Sequence, residues 1–152
     1  MDVHSQLRTD RDAADVLSWV DDLERYPEWM RLIHRVQALE PDERGPAWSV
    51  ELRARLGPFA RSKRLRMVRT VYDAPHRIVF ERVEGDGRDH APWILTLRID
   101  SREGPERSEL VTDLDVHLHY GGSLWTGGVL ERVLGDEVDR GRDRLLSVLQ
   151  TH

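Results

Sequence analysis

Apolar and polar residues alternate with a period of two over most of the chain between residues 35 and 120. In the rows that begin at Trp48 and Trp93, apolar side chains occupy every second position and mostly polar ones fill the gaps. Such alternation predicts β-strands with one face against the core and the other in water. Short turns separate the rows, at residues 42–46, 57–58, 73–76 and 85–89. The pattern therefore predicts an antiparallel sheet.

The spacing becomes helical at both ends of the chain. Either Asp10 or Asp12 is expected to cap a short helix that buries Val16 and Val20, and residues 23–30 predict a second short helix. From the expected cap Ser123 to residue 150, apolar residues form one long stripe that includes Leu130, Leu134, Val138, Leu145 and Leu149. A helix with such a stripe needs a large apolar surface, which the predicted sheet can supply. The order of elements indicates an α+β domain in which the sheet wraps the long helix.

Two glycines interrupt the long helix. Gly141 falls on the apolar stripe and Gly135 falls at its edge. A glycine inside a helix costs about 1 kcal/mol relative to alanine, so each is expected to have a reason. One interpretation is close packing of the helix on the sheet, and the other is space left for a ligand.

Composition limits the classes of protein. The chain of 152 residues suits a single domain over residues 1–152, with 39% hydrophobic and 34% charged residues. A net charge of −5 argues against nucleic acid, and the absence of cysteine excludes disulfides and thiolate metal sites. No apolar run is long enough to span a membrane, and the N-terminus does not resemble a signal peptide. We therefore expect a cytoplasmic protein without a membrane partner.

Two histidines invite a metal interpretation. His117 and His119 share one face of a predicted strand with Asp113 and Asp115. These side chains face away from Leu118 and its apolar neighbours, and no further ligands converge on them. A solvated face is the better interpretation, so no metal and no cofactor is predicted.

The segment at residues 21–30 reads DDLERYPEWM. Together with the element order, it resembles the START-like SRPBCC superfamily. Within that superfamily, the chain is most similar to the polyketide cyclase/dehydrase branch, which includes the tetracenomycin-type aromatase/cyclases of actinomycete polyketide pathways. The resemblance covers essentially the whole chain. It implies a helix-grip fold, in which a curved antiparallel sheet and a long C-terminal helix enclose an interior cavity.

The same resemblance implies an activity. In the aromatase/cyclases, the cavity binds a poly-β-ketone chain delivered by an acyl carrier protein, and promotes aldol ring closure and dehydration. We therefore expect a polyketide cyclase or aromatase/cyclase. A non-catalytic carrier of a lipid or quinone is the alternative, because few acid–base groups fall on the predicted interior. An interaction module with a closed core, which would bind no ligand, is a third possibility.

Arg69 best matches an arginine that belongs to the site of the aromatase/cyclases. Its strand register places it on the same face as Leu65, Met67 and Val71. A buried guanidinium keeps its charge, and beside a substrate carbonyl it would stabilise an enolate by about 3 kcal/mol. Alternatively, a β-bulge turns Arg69 toward water, or the side chain pairs with a carboxylate.

Thr112 and Tyr120 are inward hydroxyls that could orient water or donate a proton, which completes the predicted catalytic set. Tyr26 is expected near the cavity entrance. The predicted substrate-binding set consists of inner-face residues, with Arg82 at the cavity mouth: Trp29, Ile33, Trp48, Leu65, Met67, Phe80, Arg82, Trp93, Leu95, Leu110, Trp125 and Leu134. The tryptophans among them would template a planar product, and ordinary core packing is the alternative.

A run of basic residues lies around the turn at residues 57–58. Its members are Arg53, Arg55, Arg61, Lys63, Arg64 and Arg66. On adjacent strands they are expected to form an outward positive patch, whose charge Glu51 and Glu81 on neighbouring strands neutralise in part. Such a patch would suit docking of an acidic acyl carrier protein.

Overall fold

The computed structural model describes residues 1–106, 109–121 and 128–151, without the side chains of Leu56 and residues 128–130. The elements in chain order are β1 (Asp2–Thr9), α1 (Ala13–Val20), a 3₁₀ helix (Leu23–Glu28), β2 (Ile33–Asp42), β3 (Gly45–Leu56), β4 (Phe59–Asp73), β5 (Arg77–Arg82), β6 (Trp93–Glu103), β7 (Leu110–Tyr120) and α2 (Gly128–Thr151). The predicted cap Ser123 and the predicted site residue Trp125 lie outside the described residues. No helix in the described part is long and apolar enough to cross a membrane.

The strands form one antiparallel sheet in the order β1-β7-β6-β5-β4-β3-β2. Hairpins connect successive strands from β2 to β7, while β1 pairs with β7, placing Val3 opposite Leu118 and Leu7 opposite Leu114. The turns between β2 and β5 are short, which favours antiparallel neighbours because parallel ones would need long crossovers. The predicted α+β architecture, with a curved sheet and a long C-terminal helix, is confirmed.

The core lies between the inner face of the sheet and α2. Leu134, Val138, Leu145 and Leu149 of α2 are buried, as the helical spacing predicts. The Ser5 hydroxyl of β1 donates to Asp139 of α2 at 3.1 Å, which ties the helix to the edge strand.

The two short helices form a buried corner at one end of the sheet. Asp12, one of the two expected caps, accepts a hydrogen bond from the Asp15 amide at 2.8 Å and begins α1. The Tyr26 hydroxyl donates to the carbonyl of Val20 at 2.8 Å. Tyr26 is fully buried, so its expected position at the cavity entrance is wrong. The cause is the 3₁₀ helix, which folds this side chain back under α1.

A β-bulge in β4 changes the face of one predicted residue. Arg69 lies opposite Phe80, but Val71 lies opposite Val79, with a register shift between them. Phe80 and Val79 are neighbours and face opposite sides of the sheet, so Arg69 and Val71 do too. The prediction that Val71 shares the inner face is therefore wrong, because one extra residue in β4 reverses the alternation.

The two glycines of α2 differ in their surroundings. A Cβ added at Gly141 would lie 2.9 Å from Met30 Sδ and 3.3 Å from the carbonyl oxygen of Trp29, whereas one at Gly135 would meet nothing within 4 Å. Close packing, one of the two interpretations, therefore accounts for Gly141. Gly135 borders open space.

The register of the β3–β4 hairpin divides the basic run between the two faces. Arg64 lies opposite Glu51 on the outer face, as expected. Lys63 lies opposite buried Leu52, and Arg61 lies opposite buried Ala54, so both fall on the inner row. The expectation of one outward patch is therefore wrong for Lys63 and Arg61.

Candidate functional site

An apolar cavity of about 50 Å³ lies between the sheet and α2. Its wall is formed by inner-face strand residues, by the 3₁₀ helix with the segment that follows it, and by one residue of α2. The lining residues are Leu23, Tyr26, Met30, Leu32, Ile33, Val50, Leu52, Leu65, Met67, Trp93, Leu95, Val116, Leu118 and Val138. Only Tyr26 among them is titratable.

Part of the predicted substrate-binding set meets in this wall: Ile33, Leu65, Met67, Trp93 and Leu95. The strand residues missing from the prediction, such as Val50 and Val116, lie on the same alternating inner rows, so their signal was present. Met30 falls at the end of the short helix predicted over residues 23–30, whereas Leu32 carried no such signal because it lies between that helix and β2.

The other predicted substrate-binding residues lie elsewhere. Trp29, Trp48, Phe80 and Leu134 are buried in the core outside the cavity wall. Leu110 is 37% exposed at the far end of β7, where it borders a separate cleft. These positions show that inner-face alternation identifies the core but does not identify which core side chains border an empty space.

An open cleft of about 550 Å³ adjoins the cavity. It lies between α2 and the ends of β2 and β3, and polar and charged residues form most of its wall: Pro27, Arg31, Ile33, His34, Arg53, Ala54, Arg55, Val133, Asp136, Glu137 and Arg140. Ile33 is the one residue that lines both spaces, and it is buried. Its side chain therefore forms part of the wall that the open cleft and the apolar cavity share.

Arg69 bonds to the end of α1. One of its terminal nitrogens donates to the carbonyl of Asp21 at 2.8 Å, and its guanidinium carbon lies 3.9 Å from the centroid of the Tyr72 ring. Asp21 is the C-cap of α1, where a cation also interacts favourably with the helix dipole. The Nε atom of Arg69 is buried without a hydrogen-bond partner in the described part of the chain. Arg69 therefore supports the fold and retains one free donor.

The two predicted hydroxyls also have protein partners. Thr112 is fully buried and donates to the carbonyl of Arg11 at 2.6 Å, with the Ser101 hydroxyl 2.8 Å away. The Tyr120 hydroxyl donates to Met1 Sδ at 3.4 Å. Burial raises the pKa of Tyr120, and the negative charge of Glu131 adds to the rise. Neither hydroxyl belongs to the cavity wall.

Charged groups lie beside the cavity at its β4–β5 side. Arg82 lies opposite the lining residue Met67, and its Nε donates to Glu84 at 2.7 Å. This pair is largely buried, with 10% of the Arg82 side chain exposed. Burial lowers the pKa of Lys63, the Arg82 charge lowers it further, and Glu84 opposes both. The expected position of Arg82 near the cavity stays a prediction, but the guanidinium is already paired.

The histidine face is a set of surface contacts on β1 and β7. His117 Nε2 and His119 Nδ1 lie 2.8 Å and 3.0 Å from the same oxygen of Asp2, and His117 stacks on His4. Hydrogen bonds from His117 and then His119 lower the pKa of Asp2. No cluster of three or more side chains suited to a metal ion occurs among the residues the structure describes.

A family model described as polyketide cyclase/dehydrase and lipid transport matches residues 9–146. The chain belongs to this family. No curated protein matches it. The match confirms the resemblance to the polyketide cyclase/dehydrase branch, and the family description covers both chemistry and ligand transport.

Solved structures agree with this family at the level of the fold. A START superfamily protein from Mycobacterium smegmatis is 16% identical, with 99% of this chain and 97% of that chain covered and a TM-score of 0.67. A protein of Thermus thermophilus is 14% identical, with 99% and 98% covered and a TM-score of 0.73. Ginseng major latex-like protein 151 from Panax ginseng is 9% identical, with 97% and 96% covered and a TM-score of 0.62. The structural similarity over nearly the whole of each chain shows a START-like fold, and at these low identities it shows the fold alone.

For a member of the polyketide cyclase/dehydrase family, the cavity wall is poor in groups that transfer protons. Tyr26 is the only titratable lining residue, and its hydroxyl donates to Val20. Burial raises the pKa of Tyr26 well above 10.0, and the charge of Asp21 adds to the rise, so the phenol stays protonated at neutral pH. The arrangement is suited to enclosing an apolar molecule.

Proposed function

We propose that this protein binds an apolar, lipid-like or polyketide-like small molecule in a site formed by the cavity and the adjoining cleft. The observation that carries this proposal is the apolar lining of the cavity together with the wall residue Ile33, which the cavity shares with the open cleft. An apolar ligand would gain from leaving water for such a lining, at about 25 cal/mol per Å² of apolar surface buried.

The volumes indicate how a ligand would be held. Small-molecule sites are usually about 300–1,000 Å³. The cavity of about 50 Å³ is too small alone, whereas the cleft of about 550 Å³ falls within that range. A rotation of Ile33 would join the two spaces. In this proposal the apolar part of the ligand enters the cavity, and its polar part stays in the charged cleft.

Replacement of Ile33 tests this arrangement. Nile red, a neutral dye whose fluorescence rises in apolar surroundings, serves as the probe. We expect Ile33→Ala to bind the dye faster than the native protein, and Ile33→Trp to bind it more slowly. Leu39→Trp is the matched control, because Leu39 lies on the same strand but is exposed. Equal association rates in all four proteins would contradict the proposal, and absence of dye binding would favour a closed core.

Poly-β-ketone cyclisation is a second candidate function, favoured by the family description and by the free Nε of Arg69. Arg69 lies on the inner row of β4, two residues beyond the cavity-lining Met67. A ligand extended past Met67 would meet a guanidinium that cannot lose its proton. That cation would stabilise the enolate of an aldol step, while water or the substrate itself would accept the proton.

A product profile distinguishes the cyclase from the carrier. The protein is combined with a minimal polyketide synthase, and the products are compared with those formed without it. A cyclase shifts the products toward one aromatic ring pattern, and Arg69→Ala abolishes the shift. Tyr72→Phe is the matched control, because it removes the hydrogen bond from Tyr72 to Asp21 while leaving the guanidinium in place. An unchanged profile would leave only the binding function.

Delivery of a substrate by an acyl carrier protein belongs to this second candidate. The outer-face cations Arg64 and Arg66 would contact the acidic carrier, although Arg64 faces Glu51 and Arg66 donates to Asp42 at 3.1 Å. Charge reversal at both positions should weaken carrier-protein binding severalfold. An unchanged affinity would exclude this docking face.

A further inference from the structure

The charged residues of the β3–β4 hairpin are almost all positive. Between Glu51 and Asp73 the chain contains seven Lys and Arg residues and no carboxylate, although the whole chain has a net charge of −5. This concentration of cations opposes the sign of the rest of the molecule. It points to a negatively charged partner for this hairpin.

The outer part of the hairpin extends beyond its neighbouring strands. On one side, the last contact with the segment before β2 is the hydrogen bond from the Arg53 amide to Leu32. On the other side, the last backbone contact from beyond β5 is the bond from the Val83 amide to Arg66. Residues 54–56 pair only with residues 59–61 in the described sheet. They therefore form a two-stranded projection.

The end of this projection combines an exposed aromatic ring with unpaired cations. Phe59 is 71% exposed, the largest value among the exposed large hydrophobic residues of the described chain. Arg55 lies on the outer face of the hairpin, while Arg61 and Lys63 lie on its inner face. Within the described chain, none of these three cations forms an ion pair.

We propose that this hairpin docks on an anionic lipid bilayer, with Phe59 inserted at the interface and the cations among the headgroups. A phenyl ring at a projecting tip can enter the apolar boundary of a bilayer, where anionic headgroups attract nearby Lys and Arg. Headgroups surround an inserted ribbon on all sides, which matches cations on both of its faces. A folded acidic protein would engage mainly one face.

Protection of exposed strand edges is the competing explanation for the cations. Lys and Arg on unpaired edges discourage aggregation, and residues 54–61 expose both edges. That explanation requires charge, but it does not require an exposed aromatic ring at the tip. Phe59 therefore separates the two explanations.

Docking would also orient the candidate site. Arg53, Ala54 and Arg55 at the base of the projection line the open cleft. A bilayer that holds the hairpin would lie close to the mouth of this cleft, where an apolar ligand could pass between lipid and protein. Binding by the hairpin needs no membrane-spanning segment, so it revises only the sequence-based expectation of no membrane partner.

Vesicle flotation tests the proposal with the full chain. Vesicles of phosphatidylcholine alone are compared with vesicles containing phosphatidylserine, at low and high salt. We expect binding to the anionic vesicles only, and weakening as salt rises. Each cation near an anionic surface contributes roughly a fivefold change in partitioning, so the double reversal Arg55→Glu/Arg61→Glu should reduce binding by at least about a hundredfold. Phe59→Ser should also reduce it.

The matched controls make the same change in net charge or in hydrophobicity at positions outside the hairpin. Arg77→Glu/Arg98→Glu alters two exposed arginines outside the hairpin, and Leu39→Ser alters an exposed apolar residue of β2. Both should bind vesicles as the native protein does. Absence of binding to anionic vesicles, or an equal loss in the Arg77/Arg98 variant, would overturn the proposal.

Soluble polyglutamate distinguishes a protein partner. Binding to polyglutamate that is unaffected by Phe59→Ser, without vesicle binding, would overturn the membrane proposal in favour of an acidic protein. The proposal is independent of the ligand-binding function, because a closed cavity would leave vesicle binding unchanged.

Discussion

Gly45 should be intolerant of a side chain, because it packs against the backbone of Arg69, where the bulge of β4 begins. It lies at the start of β3, and a Cβ built there would be 2.2 Å from the carbonyl oxygen of Arg69 and 3.3 Å from its carbon. That oxygen belongs to the backbone, so it cannot move aside as a flexible side chain can. Gly45→Ala must therefore displace β3 from β4 or reshape the bulge.

The structure sets the approximate cost of this substitution. A contact between carbon and a carbonyl oxygen needs about 3.3–3.6 Å, so the strands have to separate locally by roughly 1.1 Å or more. Backbone hydrogen bonds near the bulge would then exceed their usual limit of about 3.2 Å. Two lost bonds cost about 2 kcal/mol, and stranded polar groups raise the total to about 2–4 kcal/mol.

Thermal unfolding followed by circular dichroism measures this effect. For a domain of this length, about 2–4 kcal/mol lowers Tm by roughly 4–16 °C. Gly135→Ala is the control, since a Cβ there meets nothing within 4 Å and a helical alanine gains up to about 1 kcal/mol. If Gly45→Ala unfolds at the native temperature, the reasoning about the bulge is refuted.

Three further substitutions test the fold around the candidate site. In urea unfolding, Gly141→Ala should be less stable than Gly135→Ala by about 1–3 kcal/mol, because the new Cβ at residue 141 crowds Met30. Equal stabilities of the two variants would contradict close packing of α2. The Tyr26 hydroxyl ionises readily only in the unfolded protein, so its contribution to the free energy of unfolding should be fully present below about pH 10. Above that pH, the free energy of unfolding should fall by up to about 1.4 kcal/mol per pH unit, and Tyr26→Phe should reduce this slope in urea titrations. A slope that is unchanged in the variant would rule out Tyr26 as its source. Asp12→Ala should cost about 1 kcal/mol by removing the cap of α1, measured by the same unfolding, whereas Asp10→Ala should cost less.

The candidate site was only partly predictable from the sequence. Ile33, Met67 and Trp93 were expected to contact a ligand, and all three line the cavity. Trp48 and Leu110 share the same alternating pattern, yet one packs in the core and the other is 37% exposed. Alternation predicts which face of the sheet a residue occupies, but it does not predict where along that face a cavity lies.

The predicted catalytic residues illustrate the same limit. Thr112 is inward and buried, as its pattern indicates, but its hydroxyl is occupied by the carbonyl of Arg11. Arg69 is inward, but it bonds to Asp21, which is 48 residues away in the chain. Hydrogen-bond partners between distant segments depend on how the segments pack. Their catalytic roles stay predictions.

The local pattern of the chain was sufficient for the strands and the helices, and it limited the cap of α1 to Asp10 or Asp12, because periodicity and capping depend on residues a few positions apart. Only the tertiary structure decided the bulge after Arg69 and the role of Ile33 as a shared wall. Each of these depends on the register between strands or on the fit of distant surfaces. One inserted residue reverses a face, and a shift of one side chain opens or closes a cavity, while the pattern of apolar and polar residues stays the same.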